Sequence, residues 1–206
     1  LTVLTDGDTK YDGNTVSVEK SRESVILFVF DTSYLLCEET FKKGVHKALG
    51  EDPHDKAVNL LRNAVKIGYD GLYENHINDF SEIMKRVEFD LNGEQDERST
   101  EELLQSDRKG NFEPYLEELY YQYGRYLLLS SSRKGTPPSS LQGVWTAHDK
   151  SPWGSGFWHN INIQMNYWLA FSANIAETFK AYVDFNKAYM ASAKENAKEW
   201  ISYTNP

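Results

Sequence analysis

Six consecutive apolar residues, Val25-Ile26-Leu27-Phe28-Val29-Phe30, constrain the fold of this 206-residue chain more than any other stretch. A strand without polar alternation reads as buried on both faces, so it needs cover on each side. Upstream, Tyr11-Asp12-Gly13-Asn14 is a turn signal, and Thr15-Val16-Ser17-Val18 alternates polar with apolar. Residues 1–36 therefore read as two or three strands, too few for an independent sheet. They call for partner strands outside the chain or for docking onto helices. Leu1-Thr2-Val3-Leu4 carries no initiator Met, basic n-region or cleavage site, and reads as the middle of a strand. The expectation is a chain that starts inside a larger protein.

Past residue 50 the hydrophobic period changes to that of helices. Asp52-Pro53 supplies an acidic N-cap and a first-turn proline, followed by Ala57, Leu60, Leu61, Ala64 and Val65 at helical spacing. Gly68 interrupts this pattern, and a second helix carries Leu72, His76, Phe80, Ile83 and Met84. Val87–Leu91 alternates like a short strand, and Ser99-Thr100-Glu101-Glu102 resembles a capping box. Glu113-Pro114 opens a long helix to about Ser132, ended by Gly135-Thr136-Pro137-Pro138. Residues 139–160 read as a long loop. Helices are expected again at 162–174, 178–189 and 192–203. The fold class is α+β, mostly helical, with a boundary near residue 37.

Composition limits the function. The formal net charge of −9 argues against a nucleic-acid backbone binder, which needs clustered Lys and Arg. No apolar run approaches the roughly 20 residues of a membrane span. The single cysteine, Cys37, excludes an internal disulfide and a cysteine-rich zinc site. His46, His54, His76 and His148 show no metal-ligand spacing, so neither a metal nor another cofactor is expected.

Four of the five tryptophans, Trp145, Trp153, Trp158 and Trp168, fall within 24 residues that hold only two charged side chains, Asp149 and Lys150. Around them stand Asn160, Asn162, Gln164 and Asn166. Flat aromatic faces cover the C–H patches of a pyranose, and amides pair with its hydroxyls. The opposing reading is a buried helix hairpin with these aromatics in its core, but unpaired buried amides are costly there. Asn160 and Asn162, two apart, suit a shared pocket. Either could instead be a helix N-cap, which would not explain both. His159 suits an acid–base group, a hydroxyl partner or a hydrogen-bonded structural histidine. Ser130-Ser131-Ser132-Arg133, at a helix end, reads as capping and turn formation.

Leu141-Gln142-Gly143-Val144-Trp145 and Asn160-Ile161-Asn162-Ile163-Gln164-Met165-Asn166-Tyr167-Trp168 closely resemble family 95 glycoside hydrolases, the inverting α-L-fucosidase family. The likeness extends through Tyr123–Leu128, Ser131-Ser132-Arg133 and Gly135-Thr136, and weakly to His76 and Ser24–Tyr34. It implies a β-sandwich, a helical linker and an (α/α)6 toroid. Residues 1–37 would then be the last sandwich strands, 38–98 the linker, and 99–206 the first toroid helices. A twelve-helix toroid needs on the order of 200 residues, more than that last segment offers. The resemblance makes Asn160 and Asn162 catalytic, as positioners of the attacking water. It places the general-acid Glu and a partnering Asp downstream, so this chain alone should be inactive. Trp145, Trp158, His159 and Trp168 would contact a fucosylated glycan.

Two stretches depart from the family pattern. Trp158 stands where a His or Thr helps to choose between fucose and galactose, and Leu169-Ala170-Phe171 replaces the usual Pro-Ala-Glu. The alternatives are an α-L-galactosidase, a toroid phosphorylase, or a non-catalytic sugar-binding helical protein. Family habit implies a secreted or cell-surface bacterial enzyme.

Overall fold

The computed structural model describes residues 1–42, 50–94, 96–144 and 146–201. The chain is mixed α and β and mostly helical. The described residues fall into two compact units. One lies within Leu1–Leu35 and His46–Ser81, the other within Leu36–Val45 and Glu82–Pro206.

In the first unit, four strands, β1 (Thr2–Thr5), β2 (Asp8–Asp12), β3 (Thr15–Glu19) and β4 (Ser24–Leu27), form two antiparallel ribbons, β1 with β4 and β2 with β3. The inner ribbon turns at Gly13, which takes φ 51° at the first of two loop positions between the paired Asp12 and Thr15. Hairpin turns need a positive φ there, which glycine adopts without strain. The ends of the outer ribbon close on Asp6. Its carboxylate accepts from Ser21 Oγ (2.8 Å), Arg22 N (3.0 Å) and Arg22 Nε (3.3 Å).

The run Val25–Phe30 is not buried on both faces as the sequence predicts. β4 alternates, with Val25 and Leu27 half-buried while Ile26 is 63% and Phe28 61% exposed. The reason is the lack of cover: among the described residues β4 has one hydrogen-bonded neighbour, at its edge, and nothing lies over the face that carries Ile26 and Phe28. Phe28 and Phe30, two apart, stack on each other at 6.0 Å.

Helix α1 (His54–Met84) begins as the sequence predicts: Asp52 Oδ1 accepts from His54 N (2.9 Å). Gly68, at φ 74° and ψ 171°, breaks its helical geometry. Lys56 Nζ pairs with Asp31 Oδ2 at 2.5 Å, linking the helix start to the segment after β4.

The second unit contains the end of α1, α2 (Thr100–Arg108), α3 (Pro114–Ser131), two short helices α4 (Asn162–Asn166) and α5 (Leu169–Ser172), and α6 (Phe179–Ile201). Ser99 and Glu102 form the capping box of α2, each satisfying the other's backbone N–H. Val87–Leu91 is not a strand. Side chains of α3 hold its backbone instead: Gln122 donates to Val87 O (3.4 Å), and Glu118 Oε1 accepts from Leu91 N (2.5 Å) and Gly93 N (3.1 Å).

The helix expected over 162–174 is two helices. Tyr167 and Trp168 close tight turns onto Gln164 O (3.0 Å) and Met165 O (3.2 Å). After α5, Asn174 adopts φ 53°, with Asn174 N on Phe171 O (3.2 Å) and Ile175 N on Ala170 O (2.9 Å). That pair of bonds is a Schellman ending, which asparagine tolerates. The two helices expected after residue 178 are one, α6, because Met190-Ala191 offers no breaker.

The core of this unit includes Leu103, Leu116, Leu129, Ile163, Ala170 and Phe185. Arg125 is also fully buried among them. Its guanidinium donates to Ala173 O (3.1 Å), Met84 O (2.9 Å), Ile83 O (3.2 Å) and Gln122 Oε1 (2.8 Å). One cation thus ties the C-terminal end of α1 and the end of α5 to α3. The carbonyl end of a helix is also where a positive charge is favoured.

Candidate functional site

The segments that carry the sequence motifs converge within the second unit. Tyr167, 2% exposed, shares a 2.7 Å hydrogen bond with Ser132 Oγ and accepts one from Ser139 N (3.0 Å). Asn166 Nδ2 donates to Ser139 O (3.4 Å) and Ser140 O (3.3 Å). Leu141 N donates to Gly156 O (3.2 Å). Gly143, at φ 79°, closes a small loop on Ser140, whose hydroxyl returns a bond to Gly143 O (2.8 Å). Residues 132–143 are thereby fastened to both ends of the 156–167 stretch. Burial raises the Tyr167 phenol above its ordinary pKa, so it stays a neutral hydroxyl.

Between these anchors lies a loop of unusual backbone. Trp153 (φ 57°), Ser155 (φ 52°) and Trp158 (φ 50°) occupy the left-handed region, which bulky residues rarely enter. Such positions cluster at functional sites. Trp153 and Trp158 meet edge to face, centroids 5.9 Å apart at 89°, with Trp153 mostly exposed and Trp158 about half exposed. Trp168 is exposed too, whereas Trp145 lies outside the described residues.

Asn160 is exposed and Asn162 half-buried at the first turn of α4. Neither caps the helix: the N-cap is Ile161, and no side chain makes a capping bond. His159, between Trp158 and Asn160, turns onto α6. Its ring stacks on Phe185 (5.2 Å, 14°) and Tyr189 (5.0 Å, 19°), and Phe157 and Phe41 also pack on Phe185 (4.4 and 5.3 Å). Burial holds its pKa below the usual histidine value, favouring neutral imidazole. His159 Nε2 and Gln164 Oε1 are buried without a hydrogen-bond partner.

An open cavity of about 610 Å³ is lined by Leu141, Gln142, Gly143 and Asn166 together with Tyr120 and Leu127 of α3, but by neither Asn160 nor Asn162. Among the described residues no His, Cys, Asp and Glu cluster has metal-binding geometry, and no helix is long and apolar enough to cross a membrane. Sequence reasoning missed Phe185 and Tyr189 as supports of this loop. Their i,i+4 spacing was the available signal, but what they would face was not.

Exposed indoles beside unengaged amides suit a neutral, hydroxyl-rich ligand, the binding chemistry of carbohydrate-active proteins. The model of the glycosyl hydrolase family 95 catalytic domain matches residues 68–205. The chain belongs to that family. It is 34% identical over 192 residues to alpha-L-fucosidase 2 of Arabidopsis thaliana, covering 90% of this chain and 22% of that protein. Probable alpha-fucosidase A of Aspergillus niger is 34% identical over 168 residues, covering 80% of this chain and 21% of that protein. The namesake from Aspergillus oryzae is 34% identical over 154 residues, covering 72% and 21%. The chain spans about a fifth of the length of these curated relatives.

Proposed function

We propose that this chain is the water-positioning part of an inverting α-L-fucosidase. The observation that carries the proposal is the pair Asn160 and Asn162, flanking the N-cap of α4 with neither spent on capping. An inverting glycosidase protonates the leaving oxygen with one group and directs water at the opposite face of the sugar. An amide oxygen is too weak a base to take the proton itself, but it can fix the water while a carboxylate accepts that proton. In this reading the carboxylates, a general-acid Glu and a partnering Asp, come from sequence downstream of the Asn pair, as the family pattern has them. Trp158 and Trp168 supply aromatic faces for the glycan, and Trp145 joins them. Residues 1–37 are the last strands of a sandwich, 38–98 a linker and 99–206 the start of a toroid.

The full-length protein should hydrolyse an α-L-fucoside to β-L-fucose as first product, read by anomeric proton NMR. Asn162→Ala should lower kcat by about 10²-fold or more with KM nearly unchanged. Release of the α-anomer, or full activity in Asn162→Ala, would sink the mechanism. The isolated 206-residue chain should show no turnover.

A further inference from the structure

We propose that His159 is a positioning residue: its stack on α6 and the clamp of Gln164 on its carbonyl hold the backbone that presents Asn160 and Asn162. The inference rests on the water-positioning reading of that pair.

Residue 159 and its neighbour are fastened at three points. The ring lies nearly parallel to Phe185 and Tyr189, at 14° and 19°. Gln164 Nε2 donates to His159 O at 2.6 Å. Ile163 N donates to Trp158 O at 3.4 Å. Asn160 follows directly, and α4 starts at Asn162. A side chain anchored on one helix and a carbonyl anchored by the next leave the segment between them little freedom. The base of the stack is itself fixed, since Phe185 is 2% exposed and Phe41 packs edge-on against both Phe185 (5.3 Å) and Tyr189 (5.5 Å).

The same geometry disfavours proton transfer by His159. Its Nε2 is buried with no partner, so no described group relays a proton to or from that atom. The groups packed on the ring are Phe185 and Tyr189, and its lowered pKa comes from burial alone. What the ring supplies is a flat, neutral body against α6. Held geometry of this kind matters because misplacing a catalytic group by about 1 Å can cost on the order of 10²-fold in rate.

The test uses the full-length protein with His159→Ala and His159→Phe. His159→Ala should lower kcat by about tenfold or more with KM little changed. His159→Phe, which restores the stack without nitrogens, should recover kcat to within about threefold and keep the wild-type pH–rate profile. If Phe is as inactive as Ala, or a limb of the profile disappears, His159 transfers protons and the proposal fails. A rise in KM alone in His159→Ala would make it a substrate contact, and wild-type kinetics in both variants would leave it no role.

Amide exchange separates this proposal from the fucosidase reading. His159→Ala should speed exchange at Ile163 and Met165, with α3 amides unchanged, while His159→Phe should not. That result would hold even if the wild-type protein cleaves no fucoside, and equal exchange in both variants would overturn the proposal. Should His159→Ala unfold the protein, Gln164→Leu, which releases only the carbonyl clamp, must lower kcat or speed exchange at the same two amides.

Discussion

The two units are held together differently. In the unit containing the strands, no described residue is fully buried, whereas the helical unit contains all twelve buried hydrophobic residues among those described. The strand unit relies on its hairpin ladders, the polar lock on Asp6 and the Lys56–Asp31 pair. Surface pairs of that kind add little stability each. The helical unit buries Leu129 and Ile163 completely and threads Arg125 through its centre. Exclusion of water makes each group there matter more, because a removed atom leaves a void or an orphaned carbonyl. The aromatic loop sits on this second, more deeply packed support, which suits a positioned site.

That contrast can be broken by substitution. The largest effect should come from Arg125→Ala. It leaves the carbonyls of Met84 and Ala173 without their donor, takes one of two donors from Ile83 O, which keeps Arg86 N at 3.2 Å, and should destabilise the helical unit by about 4 kcal/mol. Denaturant unfolding followed by a probe in α3 would show it, and a loss under about 1 kcal/mol would mean that water replaces the guanidinium. Leu129→Ala, at a fully buried site, should cost about 3 kcal/mol by the same assay. Ile26→Ala, on the exposed face of β4, should change stability by no more than about 0.5 kcal/mol. A larger loss would show that this face is covered in solution, and the contrast between the units would weaken.

The smallest effect is a titration. Asp6 is held at a pKa of about 2, below the ordinary aspartate value of 3.8, chiefly by the Ser21 hydroxyl and then the backbone N–H groups of Arg22 and Glu23. A folded-state pKa below the unfolded one means the lock contributes fully above pH 3.8 and fades as pH falls towards 2. Protection at Arg22 and Glu23, taken relative to the intrinsic exchange rate at each pH, should therefore fall over that window, while α3 amides stay protected. Loosening already complete near pH 5 would contradict the assignment.

Much of the local structure was legible. The capping box of Ser99 and Glu102, the Asp52 cap, the Gly13 turn and the break at Gly68 each depend on groups a few residues apart. The candidate site was half legible. Its aromatic and amide composition marked the region, and motif likeness named the family that the comparisons then showed. The role of His159 was not legible, because its ring partners lie 26 and 30 residues away on α6.

The sequence by itself determined what short-range chemistry decides: helix starts, turns, the change of period after residue 50 and the family. Tertiary structure alone decided that Val25–Phe30 is shielded on one face only, that α4 stops before Tyr167, and that Arg125 is buried. In each case the deciding partner is distant in the chain. Tyr167 is held by Ser132 and Ser139, 35 and 28 residues upstream, and Arg125 by carbonyls 41 to 48 residues away. A local pattern can show that a residue prefers burial or a hydrogen bond, but only the folded chain brings the group that satisfies it.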